Sequence, residues 1–168
     1  MNIILCGMMG SGKTTVGVCL AKKMNREYVD TDAVIVERYG SIVDIFERYG
    51  EGYFRDLETE VVKELGCEND LVIATGGGLV LRQENVKLLK TNGKIVFLQA
   101  SEDTLVERLK ANTERPLLQK VESLRARVQE LLKDRARVYE NVADFIVDVD
   151  EKNPEQIARE IVERIGQV

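Results

Sequence analysis

The sequence predicts an α/β fold of three layers, with a five-stranded parallel sheet between helices on both faces. Two observations carry this expectation. Short apolar runs alternate with amphipathic stretches along all 168 residues, the rhythm of βα units that build a parallel sheet. The first apolar run also leads directly into a glycine-rich turn and then into helical spacing, "GMMGSGKTT" at 7–15. That is the strand–loop–helix order of an anion-binding turn. No repeat, low-complexity tract or linker interrupts the pattern, so one domain over 1–168 is expected.

Taken in order, "NIILC" (2–6) reads as a buried strand. Val16, Cys19, Leu20 and Met24 recur at helical spacing behind it. "EYVD" (27–30) is a short second strand. Ser41 with Asp44 resembles a capping box opening a short helix, and Leu57, Val61 and Leu65 mark a longer one. "DLVIAT" (70–75) is the third strand, followed by a helix around 82–91 and the strand "KIVFL" (94–98). Leu105, Val106 and Leu109 form the stripe of the next helix. A polar segment over about 112–124 carries Pro116 and is expected to be a lid. A helix rises from it through Val128, Leu131, Leu132 and Val138. "DFIVDV" (144–149) is the fifth strand. Asn153-Pro154 is an N-cap with proline at the first helical position, and Ile157, Ile161 and Ile165 face the core.

Composition removes several classes of function. Charged residues make up 32% and the net charge is −5, which gives no basic footprint for nucleic acid. No apolar run approaches the ~20 residues of a membrane span. The start "MNIILCGMMG" lacks a basic leader region and reads as a strand. A cytoplasmic monomer is expected. There is no histidine, so imidazole metal sites and Ser-His or Cys-His nucleophiles are excluded. Cys6, Cys19 and Cys67 form no C-x-x-C pair and are expected to be buried free thiols.

The turn at 7–15 fits G-x-x-x-x-G-K-[ST] through Gly7, Gly12, Lys13 and Thr14, the phosphate-binding P-loop. Gly10, Ser11 and Gly12 let backbone N–H groups face phosphate oxygens, with Thr15 at the helix start. Lys13 supplies charge, and the Thr14 hydroxyl can ligate Mg²⁺. By chance the pattern would appear in on the order of one chain in 150 of this length, so ATP and Mg²⁺ are expected ligands. Length and the lack of partner modules favour a small-molecule kinase over a motor.

Five other clusters fall near strand ends. "DTD" places Asp30 and Asp32 two residues apart after the second strand, so both carboxylates would point the same way. They could hold Mg²⁺ through water or accept a proton from an attacking hydroxyl. The competing reading is a helix N-cap plus a surface acid. In "GEGYFRDLE" (50–58), Arg55 and Glu58 are spaced i, i+3 and can pair beside Phe54, presenting a guanidinium fork to a carboxylate; a surface ion pair is the alternative. "NTERPLLQK" (112–120) carries Arg115, placed to reach the γ-phosphate from the lid, unless the segment is a solvated connector. Arg135 lies one turn before Tyr139 in "DRARVYE", facing either the cleft or solvent. Last, "VIATGGGLV" (72–80) ends a strand in Gly76, Gly77 and Gly78, where an aspartate for magnesium is often sought. These glycines are expected to form a bare floor with free N–H groups, Gly77 being the most direct contact; a turn needing positive φ is the alternative.

In this order the motifs resemble the shikimate kinase family: a P-loop, D-[ST]-D, G-E-x-x-F-R-x-x-E, a strand ending in G-G-G, R-P-L-L and R-x-x-x-Y. The match runs from Gly7 to Tyr139. The resemblance implies a P-loop kinase fold and transfer of the ATP γ-phosphoryl group to the 3-hydroxyl of shikimate, in aromatic amino acid biosynthesis. It implies that Asp32 contacts the shikimate hydroxyls and orients or deprotonates the nucleophile, alongside Lys13 and Arg115 as catalytic groups. Asp30 helps hold hydrated Mg²⁺ with Thr14. Arg55 and Arg135 clamp the carboxylate, with Glu58 orienting Arg55. Arg108 flanks adenine, and Lys152 stands where some members place an arginine. The alternatives are a gluconate or nucleoside monophosphate kinase, and a catalytically silent binding domain. Gluconate kinases carry a histidine after their D-x-D, and nucleoside monophosphate kinases a D-G-[FY]-P-R type motif; neither occurs here.

Overall fold

The computed structural model describes residues 1–112 and 118–167, and the side chains of all of these but 118–121. Five strands form one sheet: β1 Asn2–Cys6, β2 Glu27–Asp30, β3 Leu71–Ala74, β4 Gly93–Gln99 and β5 Phe145–Asp148. Their order is β2-β3-β1-β4-β5, and every pair is parallel. Among the described residues the helices are α1 Lys13–Met24, α2 Thr31–Tyr39, α3 Ile42–Leu65, α4 Gln83–Thr91, α5 Glu102–Ala111, α6 Leu118–Val142 and α7 Pro154–Ile165.

The three layers follow from the period of two along each strand. Ile3 and Leu5 of β1, Val96 and Leu98 of β4 and Val147 of β5 face one way, against Val16 and Leu20 of α1 and Ile157 and Ile161 of α7. Ile4, Cys6, Ile73, Ile95 and Phe97 face the other way. There they meet Val62 of α3, Leu89 of α4, Leu105 of α5, and Val128 and Leu131 of α6. β1 is covered on both faces, and all five of its residues are buried.

Local signals explain most boundaries. Asn153 and Gln156 make a reciprocal capping box, with Pro154 at N1 of α7. Ser101 caps α5 by accepting from the Thr104 N–H. Ser41 accepts weakly from the Asp44 N–H, at 3.5 Å. The short and the longer helix expected there are both present, meeting within α3 at Gly50, whose φ of 82° and ψ of 172° break the helix. α2 is an addition to the sequence reading. It has only two buried residues, Thr31 and Ile35, so its periodicity is faint. α6 begins at Leu118, inside the segment expected as a lid; residues 113–117, with Arg115, lie outside the described residues. The cysteine expectation holds for Cys6 alone: Cys19 is half-buried and Cys67 exposed. Cys67 follows the last turn of α3, where the chain leaves the core.

Candidate active site

β1 sits between β3 and β4, so the chain leaves the sheet in opposite directions on its two sides. Ligands bind at the carboxyl ends of strands at such a switch point. A cleft of about 390 Å³ opens there, lined by the P-loop, by Asp30 and Asp32, and by Thr75 to Gly77. Gly10 and Gly12 have φ of 82° and 91°, which a side chain would strain. Lys13 Nζ donates to the Gly7 and Met8 carbonyls at 2.7 and 2.9 Å. Burial pulls its pKa down to about 8, with Asp32 and Asp30 among the groups pulling it back. Thr14 and Thr15 line the cleft. Ser11 is fully buried under the loop, and its N–H, expected to face phosphate, donates to the Met8 carbonyl at 3.1 Å.

Asp30 and Asp32 reach the cleft by a route that differs from the expected one. They do not share a strand face. Asp30 ends β2 and caps α2, its Oδ1 accepting from the N–H groups of Asp32 (2.9 Å) and Ala33 (3.2 Å). Asp32 lies in the first turn of α2. The cap is therefore real, and the second oxygen of Asp30 remains for other work: Thr14 Oγ1 approaches it at 3.5 Å and the Tyr28 hydroxyl at 3.4 Å. Among the described residues, the buried Asp32 Oδ1 has no hydrogen-bond partner. Burial, then the charge of Asp30, raises its pKa.

A second buried acid faces the same place. Glu58 on α3 is 0% exposed. Its Oε2 accepts from Arg55 Nη1 at 2.7 Å, while Oε1 has no partner among the described residues. Burial raises its pKa against the pull of Arg55. A Cβ added to Gly76 would lie 2.6 Å from Asp32 Oδ1 and 2.8 Å from Glu58 Oε1, so the two unpaired oxygens converge on this glycine. Arg55 also bonds Glu51 at 3.1 Å and lies 5.4 Å from the centre of the Phe54 ring. A Cβ on Gly78 would run into its guanidinium.

Of the three glycines, Gly76 and Gly77 line the cleft, and Gly78 lies against the Arg55 guanidinium. The Gly76 N–H is not free: it donates to Thr31 Oγ1 at 2.9 Å. None of the three glycines has positive φ, so the positions require space and not a left-handed turn. Arg135 Nη1 would stand 3.4 Å from a Gly77 Cβ, which brings Arg135 to the floor. Thr31 and Tyr139 are the residues the sequence reading left without a role. Tyr139 donates to the Gly77 carbonyl at 2.6 Å. The signals were there, in the middle of D-T-D and at the end of R-x-x-x-Y.

Arg108 lies over the P-loop, 3.4 Å from the Gly10 carbonyl. With Gly12, Lys152 and Pro154 it lines a second cavity of about 260 Å³. Lys152 is tied to Glu160 at 2.8 Å. Among the described residues no three acidic, thiol or imidazole groups form a metal cage. The hydroxyl of Thr14 and the second oxygen of Asp30 are hard oxygen donors, which suits Mg²⁺ carried mainly by phosphates and water.

A P-loop at a switch point, with Asp30 at the end of β2, Asp32 in the first turn of α2 and Arg55 and Arg135 near the glycines after β3, defines an α/β/α P-loop kinase. The shikimate kinase family model matches residues 9–166. The chain belongs to the shikimate kinase family. It is 49% identical over 162 residues to a shikimate kinase of Thermodesulfovibrio yellowstonii, covering 96% of this chain and 92% of that one. Its structure superposes on a shikimate kinase from Acinetobacter baumannii in complex with shikimate, with a TM-score of 0.89 and 38% identity; 99% of this chain and 93% of that one are covered. The enzyme from Aquifex aeolicus gives a TM-score of 0.82 at 37% identity, over 99% and 97% of the two chains.

Proposed function

We infer that the chain is an ATP-dependent shikimate kinase that transfers the γ-phosphoryl group to the shikimate 3-hydroxyl, giving shikimate 3-phosphate and ADP. The observation that carries this reading is the Asp32 carboxylate. It is half-buried and lines the cleft that also holds Lys13 and Thr14. A carboxylate so placed can receive the proton of an acceptor hydroxyl.

The proposed roles divide by chemistry. ATP lies along Gly10, Ser11 and Gly12, with Lys13 leaving the Gly7 and Met8 carbonyls to meet the phosphates. Thr14 and, through water, Asp30 are the proposed holders of Mg²⁺, which when bound neutralises charge on the phosphates. Arg108 and Lys152 flank the base, Lys152 with Glu160 holding its ammonium. Arg55, oriented by Glu58, and Arg135 receive the shikimate carboxylate beside Gly77 and Gly78. Asp32 orients the 3-hydroxyl and takes its proton as the phosphoryl group transfers; its raised pKa makes it a better base than an exposed aspartate. Positioning and charge neutralisation carry most of such a transfer. Arg115, outside the described residues, is proposed as the γ-phosphate arginine on its R-P-L-L match. A single domain with its lid over 112–124, a monomer in the cytoplasm, is the proposed form. Among the described residues no helix is long and apolar enough to cross a membrane.

The test is ADP release with shikimate, gluconate and nucleoside monophosphates in parallel. Acceleration by shikimate alone is expected. Equal or greater acceleration by another acceptor overturns the reading.

A further inference from the structure

Arg135 and Tyr139 lie one turn apart on α6, yet phosphoryl transfer needs no phenol. Tyr139 heads the largest fully buried side chains among the described residues. A buried hydroxyl is held in place by its partner, here the Gly77 carbonyl at 2.6 Å. Its ring stacks on Phe97 of β4 at 5.2 Å, and Met8 Sδ of the P-loop lies 3.9 Å from its oxygen.

We infer that Tyr139 is a positioning residue for the acceptor site: its hydroxyl fixes the Gly77–Gly78 peptide of the floor and registers α6, with Arg135, against it. The inference rests on the shikimate reading given above. A trans peptide points its N–H opposite to its carbonyl, and no peptide among the described residues is cis. Anchoring the Gly77 carbonyl therefore sets the direction of the Gly78 N–H. The preceding peptide is fixed in the same way, because the Leu79 N–H donates to the Gly76 carbonyl at 3.1 Å. That bond sets the Gly77 N–H. Two N–H groups of the floor are thus oriented by bonds on their far sides. Arg135 packs against the same glycine whose carbonyl Tyr139 holds, so one side chain sets the spacing between clamp and floor. Burial pushes the phenol pKa up, against the pull of Arg135, and the hydroxyl stays a donor across the working pH range.

Tyr139→Phe keeps the ring and removes only the donor. The expected result is a folded protein whose shikimate KM rises roughly tenfold, the scale of one buried hydrogen bond. ADP affinity by calorimetry stays within about twofold on the same grounds. Phe97→Leu is the control: it weakens the ring stack and keeps the hydroxyl, so it should lower the melting temperature without reproducing the KM change. An unchanged shikimate KM in Tyr139→Phe, an equal rise in Phe97→Leu, or failure of Tyr139→Phe to fold would each overturn the inference. No shikimate-dependent ADP release in the unmutated protein would instead refute the proposed reaction, and the inference with it.

Discussion

Gly76→Ala tests the convergence of the two unpaired carboxylates. The new methyl would lie 2.6 Å from Asp32 Oδ1 and 2.8 Å from Glu58 Oε1. Ordinary contact begins near 3.4 Å, so the oxygens must retreat by about 0.8 and 0.6 Å. Both are ends of side chains, and Gly76 has no positive φ to strain. The stability cost therefore sits at the low end for overpacking, ~1 kcal/mol, or roughly 2–4 °C in Tm. Function should suffer far more, because a misplacement of about 1 Å at a reacting group costs on the order of 10²-fold. The assay is coupled ADP release with shikimate varied, beside a thermal melt. We expect kcat/KM for shikimate to fall on the order of 10²-fold in a folded protein. The neighbours calibrate the result. Gly77→Ala meets Arg135 only at 3.4 Å and should be the mildest of the three. Gly78→Ala displaces Arg55 and should raise KM. Near-normal activity in Gly76→Ala would refute the placement of Asp32 at the reacting hydroxyl, and an unfolded protein would make the glycine structural.

Three further outcomes are expected. Arg55→Ala should abolish shikimate turnover while ADP binding, followed by calorimetry, stays nearly intact; equal loss of both would make Arg55 structural. Arg115→Ala should lower kcat more than shikimate affinity, and the reverse pattern would remove it from the transition state. The third concerns pH. With the Lys13 pKa at about 8 in the free site, the amine is neutral above that value, whereas bound phosphates favour the ammonium. Binding then takes up a proton, and ATP affinity falls as pH rises past 8, roughly eightfold between about pH 7.5 and 9. Phosphate groups are already ionised over that range, and the Cys6 thiol and Tyr28 phenol, both held up at about 12, stay protonated. Calorimetric affinities that do not change over this interval would refute the shift.

What was legible in the sequence was local. The strands, the P-loop and the Asn153 cap are written in spacings of a few residues, and the Arg55–Glu58 pair follows from one helical turn. α2 was not legible, because an element with two buried residues leaves almost no apolar stripe. The commitment of the Gly76 N–H to Thr31, and the empty side of Glu58, depend on packing between segments far apart in the chain. Asp30 shows the limit most clearly. In the sequence a cap and a cleft acid read as rival roles for it, but a carboxylate has two oxygens: Oδ1 caps α2, and Oδ2 faces Thr14 and Tyr28.

Strand order explains why the end of β3 carries no side chain. β3 lies between β2, which delivers the acids, and β1, which delivers the P-loop. In register, Asp30 stands beside Ala74, and Ala74 beside Leu5. Any group passing from the β2 end to the P-loop must cross the end of β3. The 3.5 Å approach of Thr14 Oγ1 to Asp30 Oδ2 is that crossing. Thr75 keeps its own hydroxyl out of the way by donating it to the Leu5 carbonyl at 3.2 Å. An aspartate at the end of β3 would fill the space that Asp32 and Glu58 surround at Gly76. The acid on β2 and the bare glycines on β3 are therefore one arrangement. Setting the carboxylate one strand outward leaves room above β3 between the P-loop and the Arg55–Glu58 pair, the space proposed for the acceptor. An aspartate introduced at Gly76 should for that reason abolish shikimate turnover and not restore a metal site; shikimate-dependent ADP release by Gly76→Asp at even a tenth of the normal rate would show that the acceptor does not occupy this space.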